Sequence, residues 1–306
     1  MDLRGVRVLV TGGAGFIGSH TARALLDQGA EVHIVDNLCT GRRENIPDGT
    51  VFHETSTADR ELATLLGDWR PQVIYHFAFN VLVPQAVEDP RMDLEGVEGS
   101  INVLELARTS GVSRVVFASS GFVYGNTERL PATEAEPVIP VSPYVVSKHA
   151  VEGYLDFYRR AYGLPYVVLR YSAVYGSGQV TGAMADYVRR LRAGDQADIW
   201  GDGTKTRDYV FIDDVVRANL LALDAPSDLE PSVLNIGTGI ETTLNELYAR
   251  IAALLDREAV PRYHPDRPGE QLRYSLDASR ARDVLGWLPT VDLEEGLRRI
   301  VAGLSD

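Results

Sequence analysis

A tyrosine and a lysine on one predicted helix, preceded by a pair of serines, are the residues of this sequence best suited to acid–base chemistry. Tyr144 and Lys148 stand at i,i+4 in a helical pattern, which places both side chains on one helix face. Ser119 and Ser120 end an apolar run that predicts a strand. A tyrosine with the ordinary pKa of about 10 is a poor base near neutral pH. A neighbouring ammonium would lower that pKa by stabilising the phenolate, and Ser120 could hold the reacting hydroxyl by a hydrogen bond.

A glycine-rich turn near the start of the chain is the second candidate site. The segment Gly12–Gly18 follows a predicted strand and opens a predicted helix. Gly12 allows a tight turn, Gly15 lets the backbone approach a pyrophosphate, and Gly18 lets the helix pack against the strand. The free N–H groups and positive dipole at the helix N-terminus would then face the phosphates. Because no Gly-Lys-Ser/Thr follows, a dinucleotide is favoured over a Walker-type phosphate loop.

An aspartate strengthens the dinucleotide prediction. Asp36 ends the second predicted strand, about twenty residues after the turn, where an acidic side chain can bind the ribose hydroxyls. Its negative charge would repel a 2′-phosphate, which favours NAD over NADP. Arg42 and Arg43 follow and keep NADP open as the minor alternative.

The elements that would position these residues alternate between short β-branched runs and amphipathic stretches. This alternation predicts successive βαβ units, with helices on both faces of one doubly wound parallel sheet. Ligands of such a sheet bind beyond the carboxyl ends of its strands. The predicted strands are Val6–Val10, Glu31–Asp36, Val51–His53, Val73–Phe77, Arg114–Ala118 and Tyr166–Tyr171. The predicted helices are Ser19–Gln28, Asp59–Leu66, Leu94–Thr109 and Tyr144–Tyr162.

The pattern becomes irregular after about Gly176, where proline and glycine interrupt shorter elements. We expect a smaller second lobe, some of whose segments return to the main sheet. Strands are predicted at Ala197–Trp200, Tyr209–Ile212 and Val233–Ile236, and helices at Ala183–Arg192, from Asp213, at Leu244–Leu255 and at Leu293–Leu304.

The composition limits the partners and the compartment. A net charge of −13 argues against nucleic acid or an anionic membrane surface as the main partner. The single cysteine, Cys39, rules out a disulfide within the chain and fits a reducing compartment. The sequence has no cluster of Cys and His residues that would predict a structural zinc site. With neither a signal-peptide pattern nor a membrane-spanning apolar stretch, we expect a cytoplasmic protein.

A series of short motifs extends along nearly the whole chain. They are Thr11–His20, Asp36–Asn45, Ser119–Gly125, Ser142–Lys148, Leu169–Gly176, Gly201–Val215, Asn235–Gly239 and Arg267–Glu270. In this order they resemble the extended short-chain dehydrogenase/reductase family, in particular its nucleotide-sugar epimerase/dehydratase branch. The resemblance implies a Rossmann-type NAD-binding domain at residues 1–176, to which segments of about 205–240 return. Residues 177–306 would form mainly a smaller, discontinuous C-terminal substrate-binding lobe.

The resemblance also implies a mechanism. Tyr144 takes the proton from a sugar hydroxyl while NAD removes hydride from the same carbon. Lys148 lowers the pKa of Tyr144 and binds the nicotinamide ribose, and Ser120 holds the hydroxyl. In a 4-epimerase the resulting ketone turns over and takes the hydride back on its other face. The expected function is therefore NAD-dependent epimerisation of a nucleotide sugar, with a UDP-sugar 4-epimerase as the first interpretation.

The implied binding residues come from the same motifs. Arg207 would contact the diphosphate and Arg267 the nucleoside or phosphate of the sugar nucleotide, since guanidinium groups meet phosphate oxygens in pairs. The family commonly forms homodimers through the helices predicted at Leu94–Thr109 and Tyr144–Tyr162. The expected cofactor contacts are Gly12, Gly15, Phe16, Ile17, Gly18, Asp36, Asn37, Ser56, Ala78, Tyr144, Lys148 and Tyr171. The expected substrate contacts are Ser120, Phe122, Tyr144, Ala173, Arg207 and Arg267.

Several positions depart from the family pattern. Ser56, Phe79, Glu95 and Ala173 replace the Asp, Ala, Asn and Asn that the family often carries. The related 4,6-dehydratases carry Asp-Glu after the active-site serine, where this chain has Gly121-Phe122. This absence favours epimerisation over water elimination. The alternatives are a 3- or 5-epimerase, a dehydratase or a keto-sugar reductase on the same scaffold, and a non-enzymatic dinucleotide sensor.

Overall fold

The computed structural model describes residues 2–80, 83–258, 260–267 and 270–303, with the backbone alone for residues 83 and 84. Strands are β1 Arg7–Thr11, β2 Glu31–Asp36, β3 Val51–Glu54, β4 Val73–His76, β5 Arg114–Ser120, β6 Tyr166–Tyr171, β7 Ala173–Tyr175, β8 Asp198–Trp200, β9 Thr206–Arg207, β10 Tyr209–Phe211, β11 Val233–Ile236, β12 Thr242–Thr243 and β13 Arg262–His264. Helices are α1 Phe16–Asp27, α2 Leu62–Leu66, α3 Val83–Glu88, α4 Leu94–Ser110, α5 Pro143–Tyr162, α6 Ala183–Ala193, α7 Ile212–Leu221, α8 Leu244–Leu254, α9 Ser279–Leu285 and α10 Leu293–Gly303.

A seven-stranded parallel sheet forms the centre of the molecule, in the order β11-β6-β5-β4-β1-β2-β3. Its inner strands are β-branched and buried on both faces, as helices on either side of a parallel sheet require. The predicted doubly wound α/β fold is confirmed. The strand order reverses beside β1, and such a switch point opens a crevice at the carboxyl ends of the strands.

Two apolar cores cover the two faces of this sheet. On one face α1, α7 and α9 pack against β1, β2 and β6 through residues such as Leu25, Val215 and Ala281. On the other face α2, α4 and α5 pack through residues such as Leu62, Leu104 and Leu155. The helix that carries Tyr144 and Lys148, α5, is thus packed against the sheet whose strand β5 ends at Ser120.

A third core joins most of the later elements. Helices α6, α8 and α10 enclose buried residues that include Tyr187, Leu247 and Ile300. Three two-stranded sheets, β10-β7, β12-β9 and β13-β8, lie around this core. The predicted strand Val233–Ile236 is instead the edge strand of the main sheet, paired with β6.

The observed elements differ from the predicted ones mainly at their ends. Helix α1 begins at Phe16, directly after the glycine turn, rather than at Ser19. Helix α2 begins at Leu62 rather than Asp59, because the Asp59 carboxylate accepts the Glu61 amide in a turn that precedes the helix. The final residue of the last predicted helix, Leu304, lies outside the described residues. Within the part of the chain that the structure describes, no helix is long and apolar enough to cross a membrane.

Candidate active site

The glycine turn after β1 leaves room for a ligand backbone. Gly12 has φ of 70°, a left-handed conformation that favours glycine, and a Cβ atom there would lie 2.6 Å from the Ala78 amide nitrogen. A Cβ atom on Gly18 would collide with the Gly12 carbonyl oxygen. Helix α1 starts at Phe16 with neither a side-chain cap nor an acidic residue in its first turn. Its N-terminal N–H groups therefore fit the pyrophosphate of a dinucleotide.

Asp36 lies beside this turn at the end of β2. Its carboxylate accepts the Ala14 amide at 3.0 Å and the Leu38 amide at 2.8 Å, so it holds the two loops together. Asn37 accepts the Cys39 amide in the same loop. Arg43, which kept NADP open, pairs with Glu54. The local charges thus fit the free ribose hydroxyls of NAD better than a 2′-phosphate.

A buried hydrogen-bond chain fixes the end of β4 against the glycine turn. The Ser100 hydroxyl donates to the Gly96 carbonyl, so it accepts from His76 Nε2 at 2.8 Å. His76 Nδ1 then accepts from the Thr11 hydroxyl at 2.7 Å, and that oxygen accepts the Ala78 amide. Burial and the positive charge of Lys148 lower the pKa of His76 to about 3, which keeps the ring neutral. Ala78 is in this way held next to Gly12.

Ser120, Tyr144 and Lys148 come together at the carboxyl end of β5. Ser120 is the last residue of β5, and Tyr144 and Lys148 occupy the first two turns of α5. A hydrogen bond joins the side chains of Tyr144 and Ser120. Lys148 is 3% exposed, and its Nζ donates to the Ala118 carbonyl oxygen at 2.6 Å. The spatial grouping expected from the sequence is therefore present.

Without ligand, burial dominates the electrostatics of this group. Burial raises the pKa of Tyr144 to about 12, although the hydrogen bond from Ser120 acts in the opposite direction. Burial lowers the pKa of Lys148 to about 7, against the attraction of Glu152 and Asp93. The effect of Lys148 and an oxidised cofactor on the pKa of Tyr144 stays a prediction, because without ligand that pKa is governed by burial. Tyr144 is neutral until further positive charge arrives.

A buried ion pair supports this group from below. Glu152 accepts from Arg170 Nε at 3.0 Å and Nη2 at 2.6 Å, and also from the Ser119 hydroxyl at 2.6 Å. Burial acts to raise the pKa of Glu152, but hydrogen bonds from His149 and Arg170 outweigh it and lower that pKa to about 2. The carboxylate ties α5 to the ends of β5 and β6.

The Glu152–Arg170 pair was missed from the sequence. Glu152 stands one helical turn beyond Lys148 on the same face of α5, and this spacing was the available signal. Its partner Arg170 lies inside a predicted strand and gave no separate signal. Trp200, described below, was likewise missed, inside a predicted strand of the second lobe.

Two of the departures from the family pattern contact each other. The Ser56 hydroxyl donates to Glu95 at 2.6 Å and accepts the Ala58 amide at 3.1 Å. The replacement of Asp at one position and Asn at the other therefore forms a matched pair near the end of β3. Ser56 remains a candidate cofactor contact, with Glu95 holding its hydroxyl.

The side chain of Tyr171 lies in one of the two cores that cover the main sheet. Its side chain is 4% exposed, and its hydroxyl donates to Asn219 at 2.6 Å. Its carbonyl oxygen accepts from the Tyr274 hydroxyl at 2.9 Å. The Tyr171 hydroxyl is thus already paired inside the protein, and the cofactor contact expected for Tyr171 stays a prediction.

Phe122 and Arg207 place the second lobe next to Ser120. The Phe122 amide donates to Ser120 Oγ at 3.2 Å. The Arg207 guanidinium lies 5.7 Å from the centre of the Phe122 ring. Arg207 Nη1 donates to the carbonyls of Thr206 and Gln271, which aims the guanidinium. Ala173 starts β7 and is partly exposed, and its amide donates to the Asp208 carbonyl.

Arg267 lies on an aromatic surface of the second lobe. Its guanidinium is 3.6 Å from the centre of the Trp200 ring, and that ring stacks on His264 at 4.6 Å. Glu270, which ends the motif that begins at Arg267, pairs with Lys205 at 2.6 Å. Its neighbours Pro268 and Gly269 lie outside the described residues. Among the residues that are described, no group of three or more His, Cys, Asp or Glu side chains could hold a metal ion.

The glycine turn, the acid at the end of β2 and the serine, tyrosine and lysine at the end of β5 define a dinucleotide-dependent enzyme on a Rossmann-type fold. Residues 8–237 match the model of the NAD dependent epimerase/dehydratase family. The chain belongs to this family, and the predicted family and cofactor, NAD, are confirmed.

Individual relatives cover almost the whole chain. The UDP-glucose 4-epimerase of Mycolicibacterium smegmatis is 41% identical over 97% of this chain and 97% of its own length. The UDP-glucose 4-epimerase of Thermotoga maritima, solved with UDP-glucose, is 40% identical, covers 97% of this chain and 98% of its own, and superposes with a TM-score of 0.93. The Thermus thermophilus UDP-glucose 4-epimerase, solved with NAD, is 38% identical with the same coverages and a TM-score of 0.90.

Proposed function

We propose that the protein is a UDP-glucose 4-epimerase, which interconverts UDP-glucose and UDP-galactose by transient oxidation at C4. The observation that carries the proposal is the grouping of Ser120, Tyr144 and Lys148 at the carboxyl end of β5. The near full-length similarity to UDP-glucose 4-epimerases supports the choice of substrate. The Gly121-Phe122 pair after Ser120 lacks the acid and base that water elimination would use.

The side chains divide the work of the reaction. Tyr144 takes the proton of the C4 hydroxyl, and Ser120 holds that hydroxyl by a hydrogen bond. Lys148 stabilises the phenolate electrostatically. Bound NAD supplies reversible hydride acceptance and, when oxidised, a positive charge. Since Tyr144 is neutral without ligand, and burial raises its pKa further, we expect it to act as a base only in the loaded enzyme.

The remaining residues bind the two ligands in this proposal. Residues 1–176, with segments of 205–240, hold NAD, and residues 177–306 mainly hold the sugar nucleotide. The backbone from Gly12 to Gly18 holds the pyrophosphate and Asp36 the ribose, while Arg207 and Arg267 hold the sugar-nucleotide phosphates or nucleoside.

A substrate screen tests the proposed function. Purified protein, without added NAD, is incubated with UDP-glucose, UDP-galactose, their N-acetyl forms and the corresponding GDP-, CDP- and dTDP-sugars, with NMR detection of products. We expect UDP-glucose and UDP-galactose to equilibrate with no net absorbance change at about 340 nm, the reduced nicotinamide band. In a parallel incubation with added NAD(P)H, its stoichiometric consumption would indicate a reductase instead, and a 4-keto-6-deoxy product in the screen would indicate a dehydratase.

We further propose a homodimer formed through α4 and α5, acting in the cytoplasm. Helix α5 carries four exposed large apolar side chains, Val146, Tyr154, Phe157 and Tyr162, which are 39–53% exposed in the isolated chain. A two-fold axis would pack this face against its own copy, and such an arrangement is the commonest for a homo-oligomer. Light scattering should give twice the chain mass, and a monomer mass at micromolar concentration would contradict the dimer.

A further inference from the structure

The ammonium group of Lys148 is enclosed mainly by aromatic rings. Its Nζ lies 4.0 Å from the centre of the Phe79 ring and 4.8 Å from that of Phe117. Lys148 Nζ also donates a hydrogen bond to the Ala118 carbonyl oxygen, and the centre of the Tyr144 ring lies 5.9 Å away. The face of an aromatic ring attracts a cation, and the attraction grows when water is excluded, as it is at this 3% exposed side chain.

Phe79 contacts both members of the proposed acid–base pair. Besides facing Lys148, its ring stands edge-on to Tyr144, with the two centres 6.1 Å apart and the planes at 81°. The ring is backed by α4, where a Cβ atom on Gly96 would lie 2.9 Å from Phe79 Cε2. Where the family often has alanine, this chain therefore has a phenylalanine that fits against a glycine.

The charged groups around Lys148 do not by themselves keep its side chain protonated. Glu152 on its own helix and Asp93, just before α4, both favour its charged form. His76 at the end of β4 is held neutral, and Tyr144 is neutral in the ligand-free protein. Burial outweighs both carboxylates and lowers the pKa of Lys148 to about 7. The charged and neutral forms of Lys148 are therefore close in free energy near neutral pH, so a ring that stabilises the ammonium changes the fraction that is charged.

We propose that Phe79 is a positioning residue for the reaction, whose ring face keeps the Lys148 ammonium charged and in place beside Tyr144. The proposal rests on the proposed function for the roles of Lys148 and Tyr144. Loss of the ring makes the ammonium easier to deprotonate, so the basic limb of the pH–kcat profile moves to lower pH. The phenolate loses part of its stabilisation, so the acidic limb moves to higher pH.

The lysine content of the chain permits a direct measurement without substrate. Lys148 and Lys205 are its only lysines, so ¹³C-lysine NMR of the purified protein, with the NAD that it retains, follows both side chains during a pH titration. Phe79→Leu removes the ring at similar volume, and Phe79→Tyr keeps it. We expect Phe79→Leu to lower the pKa of Lys148 by about 0.5–1 unit, with Phe79→Tyr close to wild type and Lys205 unchanged.

The catalytic measurement uses the same variants. In Phe79→Leu we expect the two limbs of the pH–kcat profile for UDP-galactose to approach each other. Each should move by about 0.5–1 pH unit, with KM little changed. Phe52→Leu is the matched control, since Phe52 is also partly buried against a cation, Arg43, but lies on the edge strand β3. It should leave both limbs in place.

Gly96→Ala is a second way to move the ring. Alanine favours the helix more than glycine does, so folding is safeguarded, but the new Cβ must push Phe79 away from its position. We expect the pH range between the two limbs of the pH–kcat profile to narrow as in Phe79→Leu, but by less. Gly96→Ala should have no further effect when Phe79 is already leucine. An unchanged Lys148 pKa and unchanged limbs in Phe79→Leu would overturn the proposal. A wild-type protein that converts no sugar would instead refute the proposed function and leave the NMR titration valid.

Discussion

The two lysines of this chain are both buried, but their surroundings are opposite. Lys148, under the proposed catalytic group, has one carbonyl and aromatic rings around it, and burial lowers its pKa to about 7. Lys205, in the second lobe, is 5% exposed but lies 2.7 Å from Asp266 and 2.6 Å from Glu270, and these carboxylates raise its pKa despite burial. Burial alone therefore does not decide the state of a lysine. The lobe holds a stable ion pair that anchors the segment carrying Arg267, whereas the sheet keeps an ammonium close to losing its proton.

The largest expected effect concerns the catalytic side of this comparison. Tyr144→Phe keeps the ring and removes only the group that accepts and returns the proton. We expect kcat to fall by at least about 10²–10⁴-fold, the usual contribution of general acid–base catalysis. Released NAD(H), measured after denaturation, should match wild type. Full activity in this variant would remove Tyr144 from the mechanism.

Replacing each lysine by methionine should have opposite effects on thermal stability. Lys205→Met leaves Asp266 and Glu270 unpaired, and we expect Tm to fall by about 2–4 °C or more. Lys148→Met removes an ammonium that burial disfavours, so Tm at pH 6 should equal or exceed that of wild type, while kcat and NAD affinity fall. Equal destabilisation by the two substitutions, measured by calorimetry, would show that the two buried ammonium groups contribute equally to stability and would contradict this comparison.

Arg207 tests whether the lobe acts through binding. Arg207→Ala removes a proposed contact to the diphosphate, and the loss of a charge-assisted hydrogen bond should raise KM by about 10–100-fold with a small change in kcat. Steady-state kinetics on UDP-galactose separate the two parameters. A fall in kcat at unchanged KM would place Arg207 in the chemical step instead. Arg23→Ala, on the exposed part of α1, serves as the control.

The smallest effect is in the pH dependence of stability. Lys148 has a lowered pKa when folded, so between about pH 7 and 10.5 the unfolded chain holds more protons and stability rises with pH. Lys205 has a raised pKa, so its contribution is complete below pH 10.5 and is lost as the pH rises beyond that value. Urea unfolding measured from pH 6 to 10 should show that the free energy of unfolding rises less steeply with pH in Lys148→Met than in Lys205→Met. Identical slopes would contradict these assignments.

Much of the fold and part of the site could be predicted from the sequence, for local physical reasons. Alternating buried strands and amphipathic helices define the sheet, and i,i+4 spacing alone places Tyr144 and Lys148 on one face. Contacts between distant segments could not be predicted in this way. The pairing of Glu152 with Arg170 and the turn of the Tyr171 hydroxyl toward Asn219 depend on the packing of separate elements. The raised pKa of Tyr144 depends on burial, which no spacing reveals.

A deuterium label at C4 of the sugar tests the proposed reaction most directly. UDP-galactose carrying deuterium at C4 is incubated with wild-type protein in unlabelled water, and the product is examined by NMR and mass spectrometry. Transient oxidation at C4 takes the label off as hydride and returns it to the same carbon, while Tyr144 moves only the hydroxyl proton. We predict UDP-glucose that retains the deuterium at C4. Product in which that deuterium has been replaced by solvent hydrogen would contradict the proposed mechanism.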